Sequence, residues 1–130
     1  KQTQLSQVVW DDIHEGMRGV IQISSEFADF PVELYGKTGT AQESKTRPNH
    51  ALFIGYSHYG EEEDIAFAIR IAYGYSSTNA KMVAKDMLQY YYNLEDETEV
   101  LTGTSAQGGN FQYCNGLIPF YLAIYKREKK

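Results

Sequence analysis

Apolar residues recur at helical spacing in two stretches of the chain. The first set has intervals of three or four residues and an acidic pair suited to a first turn, and it predicts a helix over residues 10 to 22. The second set follows the pattern i, i+3, i+4, i+7, i+8, i+11 and comprises Ala80, Val83, Ala84, Met87, Leu88 and Tyr91. It predicts an amphipathic helix that has Ser77 or Thr78 as N-cap and packs its apolar face on a sheet.

Three stretches between these helices have the composition of β-strands. Residues 32 to 41, 50 to 57 and 65 to 73 are rich in β-branched and aromatic side chains, and polar turns separate them. Short connections of this kind join antiparallel neighbours. The sequence therefore predicts an α+β fold, an antiparallel sheet of at least three strands with packing helices.

The chain after residue 93 follows no single pattern. An acidic turn leads into a Gly/Ser/Thr-rich stretch, and the apolar residues 111 to 125 predict one or two further strands. Three origins stay open for residues 94–130: a lineage-specific extension, a hairpin that covers the sheet, or sequence foreign to the native protein. Its aromatic side chains should in part pack on something rather than face water.

Composition and charge exclude several classes of protein. A chain of 130 residues with a net charge of -5 fits one globular domain and argues against a nucleic-acid partner. The three histidines are scattered and Cys114 is the one cysteine, so we expect no metal site, no internal disulfide and no cofactor. Because the chain begins at Lys1 rather than Met, we expect it to be a fragment.

The stretch with the clearest chemistry is the heptapeptide at residues 36 to 42, Gly-Lys-Thr-Gly-Thr-Ala-Gln. Lys37 would supply positive potential, the Thr38 and Thr40 hydroxyls would donate to a carboxylate, and a peptide edge would lie against Gly39. A backbone N–H of this strand would stabilise an oxyanion, which suits acyl transfer. Taken alone, Lys-Thr-Gly also fits a twisted edge strand with a glycine bulge.

The longer heptapeptide resembles the Lys-Thr-Gly box of the penicillin-binding transpeptidases, whose motif set is Ser-x-x-Lys, Ser-x-Asn and Lys-Thr-Gly. Trp10 with Gly16 and Met17 looks like the helix before this box in class B members, and residues 49 to 56 look like the strand after it. The resemblance covers residues 8 to 93. It implies that residues 1–93 are the C-terminal part of a transpeptidase domain with a β-lactamase-like fold.

The resemblance also implies roles for the residues of the box. Lys37 would assist proton traffic, and the N–H of Thr40 would complete the oxyanion hole, so these two are the candidate catalytic residues. Thr38, Gly39 and Thr40 are the candidate substrate-binding residues, because the two threonines would hold the carboxylate of a D-Ala-D-Ala stem peptide or of a β-lactam. Gly39 would keep the groove open. His50 and Tyr56 would lie near the site, although ordinary strand packing is the favoured interpretation for both.

The departures from the family pattern are equally informative. No Ser-x-x-Lys occurs in the chain, so the nucleophile is expected in the upstream part of the same protein, and the chain alone should be inactive. The triplet at residues 77 to 79 spells Ser-x-Asn, but it follows the box instead of preceding it and is interpreted as coincidence. We expect the fragment to form a dimer, to swap elements or to bind its upstream half.

The leading hypothesis is a D,D-transpeptidase that cross-links peptidoglycan through a serine acyl-enzyme. The resemblance places such a protein in the bacterial cell envelope, at the outer face of the cytoplasmic membrane, anchored by an N-terminal segment that this chain lacks. The alternative is a non-catalytic or sensor module that binds β-lactam or cell-wall peptide. A serine β-lactamase or carboxypeptidase on the same fold is a third hypothesis. The sequence does not distinguish transpeptidases of cell elongation, division and sporulation from one another.

Overall fold

The computed structural model describes residues 5–95 and the backbone of residues 120–126. The elements in chain order are α1 (Gln7–Gln22), a 3₁₀ helix (Ser25–Phe27), β1 (Glu33–Ala41), β2 (His50–His58), β3 (Ile65–Ile71), α2 (Ser77–Tyr91) and β4 (Phe120–Lys126). The strands form one antiparallel sheet in the order β1-β2-β3-β4. The predicted α+β class is confirmed.

Capping side chains set the starts of both helices. Helix α1 begins three residues before its predicted start, because the Ser6 hydroxyl accepts the N–H of Val9 at 3.4 Å. Helix α2 is capped by Ser76, whose hydroxyl accepts the N–H of Thr78 at 3.2 Å. The prediction that Ser77 or Thr78 is the N-cap is therefore wrong, and both residues lie in the first turn.

The third and fourth strands differ from the sequence pattern at their ends. Strand β3 ends at Ile71 and not at residue 73, because Tyr73 takes a left-handed conformation with φ of 55°. Strand β4 confirms a further strand within the apolar stretch, and its backbone pairs with β3. Residues 111–119, and Cys114 among them, lie outside the described residues.

Helix α2 covers one face of the sheet and forms the main core with it. Strand alternation brings Leu34 of β1, Phe53 of β2 and Ile69 of β3 to this face, and each is at most 1% exposed. The α2 side chains that complete the core are Ala80, Ala84 and Leu88. This packing confirms that the apolar stripe of α2 faces the sheet.

Helix α1 lies on the opposite face. Its His14 ring contacts the rings of Tyr35 and Tyr56 at centroid distances of 5.8 and 5.6 Å, and the Arg18 guanidinium donates to the Leu34 carbonyl at 3.0 Å. The cover is incomplete, because Ile54 of β2 is 52% exposed on this face. The sheet therefore has one buried face and one that α1 covers only in part.

Candidate functional site

The Lys-Thr-Gly box lies in β1, at the edge of the sheet in the described part of the chain. Residues 37 to 40 of the box each have a cross-strand neighbour on β2, from Lys37 opposite Ile54 to Thr40 opposite Ala51. An edge strand has backbone N–H and C=O groups that no neighbouring strand occupies. The outer edge of β1 therefore offers a template for an extended peptide.

Alternation along β1 divides the box between the two faces of the sheet. Thr38 and Thr40 point to the face of α2, and Lys37 and Gly39 point to the face of α1. Thr40 and Lys37 are exposed and Thr38 is half-buried. A ligand that reaches both Lys37 and the threonine hydroxyls must therefore lie along the strand edge and not over one face.

The Lys37 ammonium bends back along its own strand. Its Nζ donates to the carbonyl oxygen of Thr38 at 2.5 Å, and the side chain is otherwise open to solvent. This contact holds the charge close to the strand edge. An incoming carboxylate would therefore meet a localised positive charge.

Gly36 and Gly39 of the box differ in how strongly their surroundings require a residue without a side chain. At Gly36 an added Cβ would lie 2.5 Å from two atoms of the Phe53 ring, so the core requires this glycine. At Gly39 an added Cβ would lie 3.2 Å from Leu52 Cβ, a tight contact that a small shift would relieve. The expectation that Gly39 keeps a substrate groove open stays a prediction.

His50 and Tyr56 have different surroundings on β2. Tyr56 stacks on Tyr35 with ring centroids 4.6 Å apart, which agrees with ordinary strand packing. His50 lies beside Ala41 at the end of the box, and it is buried. Its ring has polar partners on several elements, so packing alone does not describe its environment.

The polar partners of His50 form a cluster at the end of the box. Nδ1 accepts the N–H of Tyr73 at 3.0 Å, and Nε2 lies 3.1 Å from the carboxylate of Glu43 and 3.4 Å from the guanidinium of Arg70. The Arg47 guanidinium donates to the Tyr73 hydroxyl at 2.8 Å. The residues of this box-end cluster are Glu43, Arg47, His50, Arg70 and Tyr73.

Hydrogen bonding within the box-end cluster favours the charged forms of its exposed members. A hydrogen bond with the Tyr73 hydroxyl lowers the pKa of Glu43, against a smaller opposing effect of burial. The same hydroxyl raises the pKa of Arg47, and the Glu43 charge adds to this effect. Glu43 therefore remains a carboxylate through the neutral range.

Sequence reasoning missed four members of the cluster, since only His50 was considered. Glu43 and Arg47 lie in a polar loop, and Tyr73 was assigned to a strand. No local pattern joins these positions, because the contacts depend on the β2–β3 register and on the left-handed Tyr73. The available signal was the position of His50 directly after the loop that follows the box.

The Ser-x-Asn triplet serves α2. Asn79 is buried in the first turn, and its side-chain amide donates to the Gly74 carbonyl at 2.8 Å. The triplet therefore fixes the connection between β3 and α2, in agreement with its interpretation as coincidence.

In residues 5–95 and 120–126 no three His, Cys, Asp or Glu side chains form a group that could hold a metal ion. No helix in this part of the chain is long and apolar enough to cross a membrane.

The comparisons with known proteins bear on the same region. The family model described as the penicillin-binding protein transpeptidase domain matches residues 1–89, which include both helices up to Gln89 and strands β1 to β3. The chain belongs to this family. A penicillin-binding transpeptidase is thus its family-level function, an acyl-transferase type of enzyme. No curated protein and no solved structure matched the transpeptidase chain.

Proposed function

We propose that this chain contributes the Lys-Thr-Gly strand to a serine D,D-transpeptidase that cross-links peptidoglycan. The observation that carries the proposal is the box on a strand at the edge of the described sheet, with Lys37 and Thr40 exposed, in a member of the transpeptidase family. The substrate would be a stem peptide that ends in D-Ala-D-Ala, and β-lactams would bind in its place.

The proposed reaction proceeds in two acyl transfers. A serine hydroxyl outside this chain attacks the carbonyl of the penultimate D-Ala, a Ser O–C bond forms, the C–N bond breaks, and D-Ala leaves with the proton on its amine. An amine of a second stem peptide then attacks the ester carbonyl, the new C–N bond forms, the Ser O–C bond breaks, and the proton lost by the amine returns to the serine oxygen. Thr38 and Thr40 hold the terminal carboxylate, and the Thr40 N–H stabilises the oxyanion in both steps.

Lys37 would act on this reaction through its charge and its place at the strand edge. Its ammonium raises the positive potential where the carboxylate binds and assists proton traffic near the serine. The substrate peptide would extend along β1, where backbone hydrogen bonds align it and Gly39 presents no side chain to it. Thr38, Gly39 and Thr40 would thereby set the position of the scissile bond.

The partner that supplies the nucleophile is proposed to be the upstream part of the same protein. Exposed apolar side chains support this, because Val8, Trp10 and Ile13 of α1 and Ile54 of β2 are between 39% and 68% exposed. A shallow apolar groove of about 260 Å³ beside Met17 adds to this surface. Covering it would remove apolar area from water. The assembled protein would act at the outer face of the cytoplasmic membrane, where its substrate is.

Intact-mass analysis after incubation with a labelled penicillin tests the proposal. We expect no adduct on this chain alone, and an adduct on the upstream part when both are present. Replacing Lys37 with Met should slow acylation by about 10²-fold or more, the range for loss of an electrostatic or proton-transfer group. Lys45→Met is the matched control, because Lys45 is an exposed lysine in the loop after the box.

Three results would contradict the proposal. An adduct on this chain alone would show that the nucleophile lies within it. Equal acylation rates for Lys37→Met and Lys45→Met would show that the box does not serve the reacting centre. If β-lactam binds without covalent attachment, the chain belongs to a binding or sensor module instead.

A further inference from the structure

The geometry around His50 assigns one protonation state to its ring. Because Nδ1 accepts the backbone N–H of Tyr73 at 3.0 Å, this nitrogen carries no proton. The proton of the neutral ring is then on Nε2, where the Glu43 carboxylate lies 3.1 Å away and can accept it. The side chain of His50 is 9% exposed, so water does not readily replace either partner.

The two partners of His50 belong to segments that enclose the end of the box. Glu43 lies two residues after the last residue of β1, Ala41, which is the cross-strand neighbour of His50. Tyr73 lies two residues after the end of β3. One imidazole ring thus joins the box-end loop, residues 42–49, to the Tyr73 connection, residues 72–76, which leads into α2.

The Tyr73 connection needs this support. Tyr73 has φ of 55° and Tyr75 has φ of 63°, conformations that are unfavourable for aromatic residues and persist only where the surroundings hold them. The His50 ring accepts the Tyr73 N–H and lies 5.0 Å from the Tyr73 ring between centroids. The Tyr75 N–H donates to the Asn49 carbonyl at 3.0 Å, next to His50 in the chain.

We infer that His50 is a positioning residue for the Lys-Thr-Gly box: its neutral ring clamps the box-end loop to the Tyr73 connection, and its protonated ring releases that connection while it keeps Glu43. A protonated ring carries a proton on both nitrogens, so Nδ1–H would face the Tyr73 N–H, two donors without an acceptor. The Arg70 guanidinium, 3.4 Å from Nε2, opposes the added charge, and Arg47 lies behind Tyr73. Among the contacts of the ring in the described residues, the Glu43 carboxylate favours the added charge.

Protonation of His50 would affect the candidate site because Thr40 is close to His50 in the sheet. Thr40 directly precedes Ala41, the cross-strand neighbour of His50, so a shift of the ring that has lost its Tyr73 partner displaces the oxyanion donor and the hydroxyl at Thr40. Displacements of about 1 Å in a reacting site can cost about 10²-fold in rate. This consequence depends on the proposed transpeptidase function, whereas the clamp itself is a property of the chain that can be measured without it.

The first measurement follows ring and amide nitrogens by NMR in the full chain labelled with ¹⁵N. We expect an unprotonated Nδ1 on His50 at about pH 8, and a Tyr73 amide shift that follows protonation of the His50 ring on acidification. A proton on Nδ1 at high pH, or a Tyr73 amide that does not move while His50 titrates, would overturn the clamp.

The second measurement compares acylation by labelled penicillin at about pH 8 and 5.5 in the assembled protein. His50→Asn places a non-ionisable amide oxygen where Nδ1 lies, so it keeps the acceptor for Tyr73 at either pH. We expect wild type to lose about tenfold more rate on acidification than His50→Asn does. His50→Phe, without an acceptor, should be slow at both pH values. His58→Asn, on the same strand but exposed and paired with Asp64, is the matched control and should behave as wild type.

The outcomes separate this inference from the proposed function. If wild type is not acylated at any pH, the proposed function fails, and the NMR titration alone decides whether the clamp exists. If wild type and His50→Asn lose rate equally on acidification, His50 does not position the box and the inference is wrong, even though acylation occurs.

Discussion

The ion pair between Lys81 and Glu26 provides a quantitative test of how α2 is attached to the rest of the domain. The Lys81 ammonium donates to the Glu26 carboxylate at 2.7 Å and to the Ser24 hydroxyl at 3.2 Å. The two charged side chains are 11% and 16% exposed, so both ions have left most of their water. Replacing Lys81 with Met should therefore destabilise the fold strongly.

The magnitude follows from the charge that would be left behind. Without Lys81, Glu26 would stay buried with no cation, and breaking one side of a buried pair costs about 3–5 kcal/mol. That is a large share of a typical stability of about 5–15 kcal/mol. The double variant Lys81→Met with Glu26→Leu removes both charges, and it should be closer to wild type than Lys81→Met is.

The same pair predicts how stability depends on pH. Burial by itself would raise the pKa of Glu26, but hydrogen bonds from Lys81 and the backbone, with the Lys81 charge, leave the pKa below its ordinary value. A lowered folded pKa stabilises the fold above the unfolded value, about 4.3, and this contribution is lost as pH falls through the folded pKa. Wild type should thus lose more stability than the double variant on acidification below about pH 4.5.

Urea unfolding followed by circular dichroism at pH 7 and at about pH 3.5 measures these free energies, given a two-state transition. Asp64→Asn is the control, because Asp64 pairs with His58 across side chains that are 43% and 51% exposed and should lose less than about 1 kcal/mol. A loss below about 1 kcal/mol for Lys81→Met would refute the reasoning. So would a double variant as unstable as the sum of the two single ones.

Two further predictions concern packing on β2. Gly55→Ala should destabilise the fold by about 1–3 kcal/mol, because the added Cβ would overlap the Tyr35 carbonyl oxygen. Gly16→Ala in α1 is the control, because its added Cβ meets nothing within 4 Å and should stabilise the helix by up to about 1 kcal/mol. Thermal unfolding of both variants measures the two effects, and a Gly55→Ala variant as stable as wild type would contradict the first. Tyr92→Phe removes the buried 2.9 Å hydrogen bond to Ser57 and should cost about 1–3 kcal/mol in urea unfolding; a neutral effect would contradict it.

Local patterns predicted the elements whose periodicity the core enforces. The apolar residues of α2 and the alternating apolar residues of β2 and β3 are buried against each other in one core. Each set therefore leaves its periodic pattern in its own stretch of sequence. The exact ends were not visible in the same way. Strand β3 ends early because Tyr73 is held by His50, 23 residues away in the chain, and no window of neighbouring residues contains that contact.

The candidate site shows the same division between residue type and placement. The residues of the box were identified from sequence, because a cation, a glycine and two hydroxyls in one strand are a local pattern. Their division between the α1 and α2 faces follows from strand alternation, but only the register with β2 shows which face is buried.

His50 illustrates why the remaining part of the site required the structure. From the sequence, packing within the strand and a position near the site are two alternative interpretations of His50. The ring is in fact both buried in the sheet and bonded to segments at the end of the box. A buried imidazole without partners would be costly, so burial itself demands polar contacts, and these contacts join the box-end loop to the Tyr73 connection. Buried polar residues beside a motif are therefore where positioning roles should be sought first.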